Sequence, residues 1–192
     1  MKLERMAAIQ LGFQFRSRVE PDPDGDIAVI QVNDVRDGHP LQRESLVRVK
    51  AEKKHEAYTV SEGDILFLSR GHRLFATHIN QTLYRTIAPG YFFILRVHDA
   101  SRILPPYVAW YLNQQTFLNH LRPEHAGTHM PIVPLGAFRK LDIPVPTLRT
   151  QELIVNVDRL EKKDLALSRQ LQDARRLLAS RICMDAARKE QH

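Results

Sequence analysis

The C-terminal part of the sequence carries a hydrophobic repeat that differs from the rest of the chain. Between residues 151 and 184, apolar positions advance by four, three, seven, four, three and four, with Asp164 in the skipped position. This is the heptad spacing of a coiled-coil seam. The seam residues are Leu153, Val157, Leu160, Leu167, Leu171, Ala174 and Leu178. The pattern predicts a long helix that follows Pro144 and Pro146, is capped by Thr150, and pairs with another helix.

An amphipathic helix folded back on its own core is the alternative, since Asp164 interrupts the seam and Ile154 and Leu165 widen it. A straight helix of this length, however, reaches about 50 Å at about 1.5 Å per residue, which is too long for one small domain. The pattern therefore favours a projecting arm. We predict an α+β fold, with a mixed α/β domain over residues 1–148 and a helical arm over residues 149–188.

Shorter apolar runs upstream predict the elements of that domain. Residues 27–32, 65–68 and 91–97 form nearly continuous apolar runs, which are typical of buried strands. Pro105 and Pro106 predict the start of a helix, because proline is favoured in the first helical turn. Residues 1–15 fit either a strand or a short helix.

Composition limits the class of protein. With 192 residues, of which 43% are hydrophobic, the chain can build one core and an appendage. It has no apolar run of the roughly 18 residues that span a bilayer, and no signal-peptide core. The single cysteine, Cys183, excludes an intrachain disulfide and a cysteine-based zinc site, as expected in a reducing compartment. We expect a cytoplasmic protein with no membrane association.

The charge distribution suggests an anionic partner. Net charge is +6 and the pI is about 9.7. Residues 69–90 contain three arginines and no acidic residue, and residues 43–54 contain five basic residues and two glutamates. Both stretches lie before the predicted arm, and ordinary solvated surface charge is the alternative interpretation of each.

Three short motifs occur in one order along the chain. They are Gly63-Asp64-Ile65-Leu66-Phe67 followed by Ser69-Arg70-Gly71, a Gly127-Thr128 turn after a helix, and Leu141-x-Ile143-Pro144-x-Pro146 with Gln151 beyond. Each motif alone is unspecific. The ordered set, followed by a coiled-coil helix, resembles one half of the specificity subunit of type I restriction-modification systems.

The resemblance implies a division of labour. Residues 1–148 would be a target recognition domain that reads one half of a split site in double-stranded DNA. The helix over residues 149–188 would be a spacer that docks an adenine methyltransferase subunit, with or without a restriction subunit. The chain itself would be non-catalytic and would need no cofactor. Family members usually carry two recognition domains and two helices, so this chain would act as a homodimer, beside a second specificity chain, or as a cut-down relative.

Candidate DNA contacts follow from side-chain chemistry. Lysine and arginine bind phosphates, while arginine, asparagine and glutamine also read base edges. The loop of residues 69–73 is the first choice, because Gly71 permits a close backbone approach. The predicted DNA-contacting residues are Gln14, Arg16, Arg18, Asn33, Lys50, Lys53, Lys54, His55, Ser69, Arg70, His72 and Arg73.

Two patterns suggest enzymes instead. Leu104-Pro105-Pro106-Tyr107 resembles the Asn/Asp-Pro-Pro-Tyr motif of DNA adenine methyltransferases, but leucine cannot accept hydrogen bonds from the target amino group. The Pro-Asp pairs of residues 21–24 together with Glu52-Lys53-Lys54 fit the loose pattern of a Mg²⁺-dependent nuclease. That nuclease, and a coiled-coil scaffold without DNA binding, are the alternative functions.

A histidine pair offers a weaker hint of a metal site. His125 and His129 are four residues apart, but Gly127 and Pro123 argue against a helix that would bring them together on a metal. A solvated or DNA-facing loop is the favoured interpretation of this segment.

Overall fold

A computed structural model describes residues 1–16, 19–35, 41–50, 55–121 and 131–189 of the chain. Contacts divide the chain into two units, Met1–Leu153 and Ile154–His192. The described strands all lie in the first unit, and the second consists of the greater part of one helix. The predicted mixed α/β domain followed by a long C-terminal helix is confirmed.

The described residues form seven strands and six α-helices. The strands are β1 (Ala7–Leu11), β2 (Ile27–Val29), β3 (Val47–Val49), β4 (Ile65–Leu68), β5 (Ala76–His78), β6 (Thr86–Ile87) and β7 (Phe92–Val97). The helices are α1 (Leu3–Met6), α2 (Val32–Val35), α3 (Pro105–Leu112), α4 (Gln115–Leu121), α5 (Leu135–Arg139) and α6 (Leu148–Lys189). Single 3₁₀ turns occur at Arg43–Ser45 and His55–Tyr58.

The strands form two sheets. The first has four strands in the order β1-β7-β4-β5, and each neighbouring pair is antiparallel. Its two central strands, β4 and β7, come from apolar runs that the sequence predicted, and every residue of β4 is buried. The second sheet has the order β3-β2-β6, with β2 antiparallel to β3 and parallel to β6.

Aromatic side chains fix the first sheet to helix α5. The ring of Phe138 lies 4.6 Å from that of Phe67 and 5.0 Å from that of Phe93, measured between centroids. All three side chains are buried. Since aromatic pairs add to the stability that their buried area provides, this cluster holds α5 against the two central strands.

Two upstream segments differ from their predictions in detail. Residues 1–15 form both a helical turn, α1, and a strand, β1, rather than one or the other. The strand expected over residues 27–32 ends at Val29, and Val32 opens α2. The cause is local: the Asp34 carboxylate accepts a hydrogen bond of 2.7 Å from the Gln31 N–H and turns the chain into the helix.

Helix α6 (Leu148–Lys189) starts one residue before the predicted arm of residues 149–188. The hydroxyl oxygen of Thr147 accepts a hydrogen bond of 3.4 Å from the Thr150 N–H, and the Thr147 carbonyl accepts one of 3.0 Å from Gln151. Thr150 lies inside the helix. The prediction that Thr150 caps the helix is therefore wrong, and Thr147 takes that position.

No described helix is both long and apolar enough to cross a membrane.

Candidate nucleic-acid interface

All four strands of the first sheet have one terminus at the same end of the sheet. Strands β1 and β4 end there and β5 and β7 begin there, because neighbouring strands run in opposite directions. Three chain segments extend beyond the strands at this edge, and a fourth pairs with them. We call them together the Arg70 edge, which comprises residues 13–16, 69–73, 89–91 and 131–133.

A two-stranded ribbon forms the centre of the Arg70 edge. The Val133 N–H donates to the Ser69 carbonyl at 2.8 Å, and the Gly71 N–H donates to the Pro131 carbonyl at 2.9 Å. These bonds place Arg70 opposite Ile132 in an antiparallel bridge. Ser69 and Val133 are buried while Arg70 and Ile132 are exposed. The ribbon therefore holds the Arg70 side chain outward on a fixed backbone.

Two residues of this predicted loop have structural roles. Ser69 is 1% exposed and its hydroxyl donates to the Tyr91 carbonyl at 2.9 Å, so it supports the ribbon and is too buried to contact DNA as predicted. Gly71 has φ of 110°, and a Cβ added to it would meet nothing within 4 Å. Glycine is therefore needed there for its backbone conformation. A close approach of this backbone to DNA stays a prediction.

Gln14 lies across Gly90 at the same edge. Its side-chain amide donates to the Gly90 carbonyl at 3.4 Å, a long hydrogen bond, and the residue is exposed. A Cβ added to Gly90 would lie 1.9 Å from the Gln14 amide nitrogen. Because Gly90 lacks that atom, the Gln14 side chain can rest on the backbone, which restricts its orientation at the edge.

Several basic side chains at the edge are available for an anion. Arg16, Arg70 and His72 are exposed, and none makes a side-chain hydrogen bond or ion pair with the part of the chain that the structure describes. Arg73 is also exposed but has an interaction within the protein. Unpaired cationic groups on a rigid support are suited to phosphate and base contacts.

Helix α2 carries the predicted residue Asn33, which is exposed. Its neighbour Asp34 acts on Tyr91 of the Arg70 edge: burial, and then the charge of Asp34, raise the pKa of Tyr91 to about 12. The Tyr91 hydroxyl therefore stays protonated at neutral pH. Val32 of α2 and Tyr91 pack against the same core cluster, which places Asn33 in the region of the edge.

Two further predicted DNA contacts, Lys50 and His55, are described by the structure and are not part of this edge. Lys50 follows β3 in the second sheet, and its ammonium lies 3.2 Å from the Asp22 carboxylate, which offsets its charge. His55 is half-buried in a 3₁₀ turn and has an interaction within the protein. Arg18, Lys53 and Lys54 lie outside the described residues.

Sequence reasoning missed two exposed apolar side chains. Ile132 is 59% exposed beside Arg70, and Tyr84 is 72% exposed beside Arg85, whose φ is 46°. The Arg85 guanidinium is paired with Asp26. No local signal could have pointed to Ile132, because its position depends on pairing between segments that are far apart in sequence.

Comparison with known proteins decides which family this chain belongs to. A model of type I restriction modification DNA specificity domains matches residues 1–174. The chain belongs to this family. The match covers the Arg70 edge and extends into α6.

Two solved structures share the fold of the specificity domain. One is the S subunit of a type I restriction-modification system from M. genitalium, with 13% identity, a TM-score of 0.54, and coverage of 82% of this chain and 37% of that chain. The other comes from a study of complex assembly and conformational transition of the type I R-M system, with 20% identity, a TM-score of 0.61, and coverage of 88% and 39%. The specificity domain thus spans less than two thirds of either solved chain. A search of curated proteins found no match.

Residues of the two enzyme-like patterns make structural contacts in the specificity domain. Leu104 donates its N–H to the Gln151 side chain at 2.9 Å, and the Tyr107 hydroxyl donates to the Pro144 carbonyl at 2.8 Å, so this motif is a structural joint. Of the nuclease pattern, Asp22 is paired with Lys50, whereas residues 52–54 lie outside the described part. Specificity subunits recognise DNA and do not catalyse, which argues against the nuclease and against a scaffold without DNA.

His125, His129 and the Gly127-Thr128 turn also lie outside the described residues. Among the residues that are described, no group of three histidine, cysteine, aspartate or glutamate side chains is arranged to hold a metal ion.

The predicted seam of α6 is exposed to solvent. The six larger seam residues, from Leu171 at 52% to Leu153 at 63%, are all more than half exposed, and Ala174 is exposed as well. Every side chain from 159 to 188 is exposed. The seam, which Asp164 interrupts, is therefore an exposed apolar stripe within the described part of the chain.

Proposed function

We propose that this specificity domain reads the bases of double-stranded DNA from the Arg70 edge, through Arg70 and Gln14. The observation that carries the proposal is the Arg70 side chain, which a hydrogen-bonded ribbon holds outward and which has no partner among the described residues. A guanidinium can bond the two acceptors of guanine, and a glutamine amide can bond the donor and acceptor of adenine. Asn33 at α2 is a further candidate for a base contact.

Basic residues around these two supply contacts to phosphates. Arg16, His72 and Arg73 lie at the same edge and are exposed. Lys53 and Lys54 remain predicted phosphate contacts from the sequence. Because each phosphate contact releases a counterion, their replacement should weaken binding to all DNA sequences alike and flatten its salt dependence. Lys50 and His55 are the weakest candidates, because both already interact within the protein.

The chemistry on DNA would come from a partner. In this proposal an adenine methyltransferase subunit supplies both catalysis and S-adenosylmethionine, and the specificity domain selects where it acts. A restriction subunit would join the same assembly where cleavage is part of the system. One structural neighbour comes from a study of complex assembly of the type I R-M system, and this domain covers 39% of that chain. That similarity supports a role within an assembly.

The exposed seam of α6 supports a homodimer. A stripe of leucines left in water forgoes about 25 cal/mol for each Å² that pairing would bury, so the isolated chain should find a second helix. Two copies joined side by side and antiparallel would carry identical recognition domains at opposite ends. A two-fold axis then makes the target two inverted copies of one short sequence with a fixed spacer. Asp164, near the middle of the arm, would face its own copy or Lys162 and Lys163.

The methyltransferase part of the proposal is tested by co-expression. The full chain is produced with an adenine methyltransferase subunit encoded in the same genome, purified through a tag on the chain, and the methylated adenines are mapped by sequencing. We expect the two to co-purify and the methylation to fall on one bipartite motif with inverted symmetry. Methylation of the same sites without the chain, or at no fixed motif, would refute the proposal.

The dimer is tested at the seam of α6. Leu167→Asp with Leu171→Asp places four carboxylates in the paired seam, and we expect monomers in sedimentation that retain weak binding to a half site. Ala166→Asp with Gln172→Asp is the matched control, because it adds the same charge to exposed positions off the seam and should leave the dimer intact. A monomeric parent, or a mapped target without inverted symmetry, would rule out the homodimer and favour pairing with a different specificity chain.

A further inference from the structure

Ile132 is an exposed aliphatic residue in a basic setting. Its side chain is 59% exposed, and the residue bridged to it is Arg70, with His72 close by in the same loop. Single exposed apolar residues are common on protein surfaces and need no function by themselves. Ile132 differs because its backbone is hydrogen-bonded on both sides, through Pro131 and Val133, to the segment that presents Arg70.

The ribbon geometry fixes where the two side chains point. The Gly71 N–H bonds the Pro131 carbonyl and the Val133 N–H bonds the Ser69 carbonyl, so Arg70 and Ile132 form a pair without hydrogen bonds between themselves. The Cβ atoms of such pairs lie about 4.5 to 5.5 Å apart on one face of the ribbon. The flanking residues Ser69 and Val133 are 1% and 4% exposed, which confirms that the opposite face is the buried one.

The chemistry of the pair matches one feature of DNA. Arginine supplies donors for base acceptors, and an aliphatic side chain offers only van der Waals contact. In the major groove, the C5-methyl group of thymine is the one apolar feature that distinguishes a base pair. A β-branched side chain has few rotamers, so Ile132 presents its methyl groups in a nearly constant position. The surrounding positive charge favours a nucleic acid over an apolar protein surface.

We propose that Ile132 is a specificity-determining residue, which contacts the C5-methyl group of a thymine next to the base pair that Arg70 contacts. The inference rests on the proposed reading of bases from the Arg70 edge and adds a thymine to the recognised sequence. Ile132 acts by direct contact with the base and has no catalytic role.

The experiment compares thymine with deoxyuridine, which pairs in the same way but lacks the methyl group. A preferred sequence is first selected from a randomised DNA duplex library with the full chain, alone and together with any methyltransferase that co-purifies. Each thymine of that sequence is then replaced in turn by deoxyuridine. We expect the parent to lose about fourfold in affinity at one position, the effect of one buried methyl group.

Ile132→Ala should abolish that difference at that position and leave the preferences at other positions unchanged. Val145→Ala is the matched control, because Val145 is another exposed aliphatic residue, at 37%, away from the Arg70 edge. It should behave as the parent does. Equal urea midpoints for the parent and both variants would show that the change is not one of folding.

The outcomes separate this inference from the proposed function. If the parent prefers one sequence but binds thymine and deoxyuridine DNA equally at every position, the inference about Ile132 is overturned and the proposed function stands. The same holds if the Ile132→Ala variant discriminates thymine from deoxyuridine as the parent does. A parent without sequence preference would overturn the reading of bases from the Arg70 edge, and the inference with it.

Discussion

The two ends of the four-stranded sheet differ in whether their polar side chains are exposed and unpaired or buried and hydrogen-bonded. At the Arg70 edge, Arg70 and Arg16 are exposed and have no side-chain partner in the described part of the chain. At the opposite end, Asp64 is 1% exposed and Gln151 is 0% exposed, and both are fully bonded. Buried polar groups are stabilising only when they are paired, so the second end holds the fold together. At the first end, Arg70 and Arg16 stay exposed and unpaired among the described residues.

Asp64 is a hydrogen-bonded anchor at the end of the sheet opposite the Arg70 edge. One carboxylate oxygen accepts from Arg96 Nε at 2.8 Å, and the other accepts from Arg96 Nη2 at 2.7 Å and from the Ser61 N–H at 2.8 Å. These bonds join the turn before β4 to strand β7. The hydrogen bond to Asp64 is the main cause that raises the pKa of Arg96. The Arg96 guanidinium therefore stays charged at neutral pH.

The largest effect is expected from Asp64→Ala. It leaves the Ser61 N–H and one face of Arg96 without an acceptor, and removing one partner of a buried ion pair costs about 3 to 5 kcal/mol. We expect a value near the lower limit, because the Arg96 side chain is 56% exposed and can be rehydrated. Urea unfolding measures the loss. Asp142→Ala is the control: its side chain is 71% exposed, so it should change stability by less than about 1 kcal/mol. Similar losses for the two would contradict the comparison.

The next effect is expected from Gln151→Ala. The Gln151 amide bonds the Leu104 N–H at 2.9 Å, the Arg102 carbonyl at 3.0 Å and the Pro146 carbonyl at 2.8 Å. Without these three hydrogen bonds, the buried backbone groups should lower the free energy of unfolding by about 2 to 3 kcal/mol in total. Water that enters the space left by the side chain would offset part of this loss.

The matched control for Gln151 is Gln10→Ala. The Gln10 side chain is exposed and makes one hydrogen bond, of 2.9 Å, to the Ala57 carbonyl. Its loss should cost about 1 kcal/mol or less. Equal urea midpoints for the two variants would show that Gln151 is not a structural anchor.

The sequence predicted the elements of this fold better than their pairing. The apolar run of β4, the proline start of α3 and the long helix α6 follow from local patterns, and each is present. Pairing through the heptad seam stays a prediction. Strands β5 and β6 were missed, since they are only three and two residues long and carry polar side chains. Such short strands are stabilised by their neighbours more than by their own composition.

The candidate site was predicted only in part, for the same reason. The basic stretch of residues 69–90 predicted Arg70, and side-chain chemistry predicted Arg16; both lie at the Arg70 edge. Ser69 is a predicted DNA contact, but it is buried and its hydroxyl is bonded to the Tyr91 carbonyl. Ile132 was missed because its pairing with Arg70 joins segments that are far apart in sequence. The motif residues Asp64 and Gln151 carried the resemblance to the family, yet in the structure they are anchors of the fold.

At the Arg70 edge, Arg70→Ala should leave the stability of the fold nearly unchanged and should alter DNA binding. The side chain is exposed and unpaired within the described chain, so urea midpoints should shift by less than about 0.5 kcal/mol. Preference for the selected sequence over random duplex should fall by about 1 to 3 kcal/mol if the contact with guanine is bidentate. The control, Arg5→Ala, removes another exposed arginine outside the edge and should keep the preference. Loss of stability without loss of preference would reverse the roles assigned to the two ends.

The smallest effect is expected from Gly90→Ala, which moves Gln14 without removing it. The added Cβ would lie 1.9 Å from the Gln14 amide nitrogen, and its three nearest atoms all belong to that flexible side chain. Folding should therefore change little, whereas preference at the one base that Gln14 reads should weaken by about 1 kcal/mol. In a Gln14→Ala background the same substitution should have no further effect on preference, because the group it displaces is gone.

Gly136→Ala, whose Cβ would meet nothing within 4 Å, controls for the change from glycine to alanine in both backgrounds. Additive effects of Gly90→Ala and Gln14→Ala would mean that Gly90 acts on binding through its own backbone. The fixed orientation of Gln14 would then have no part in reading DNA.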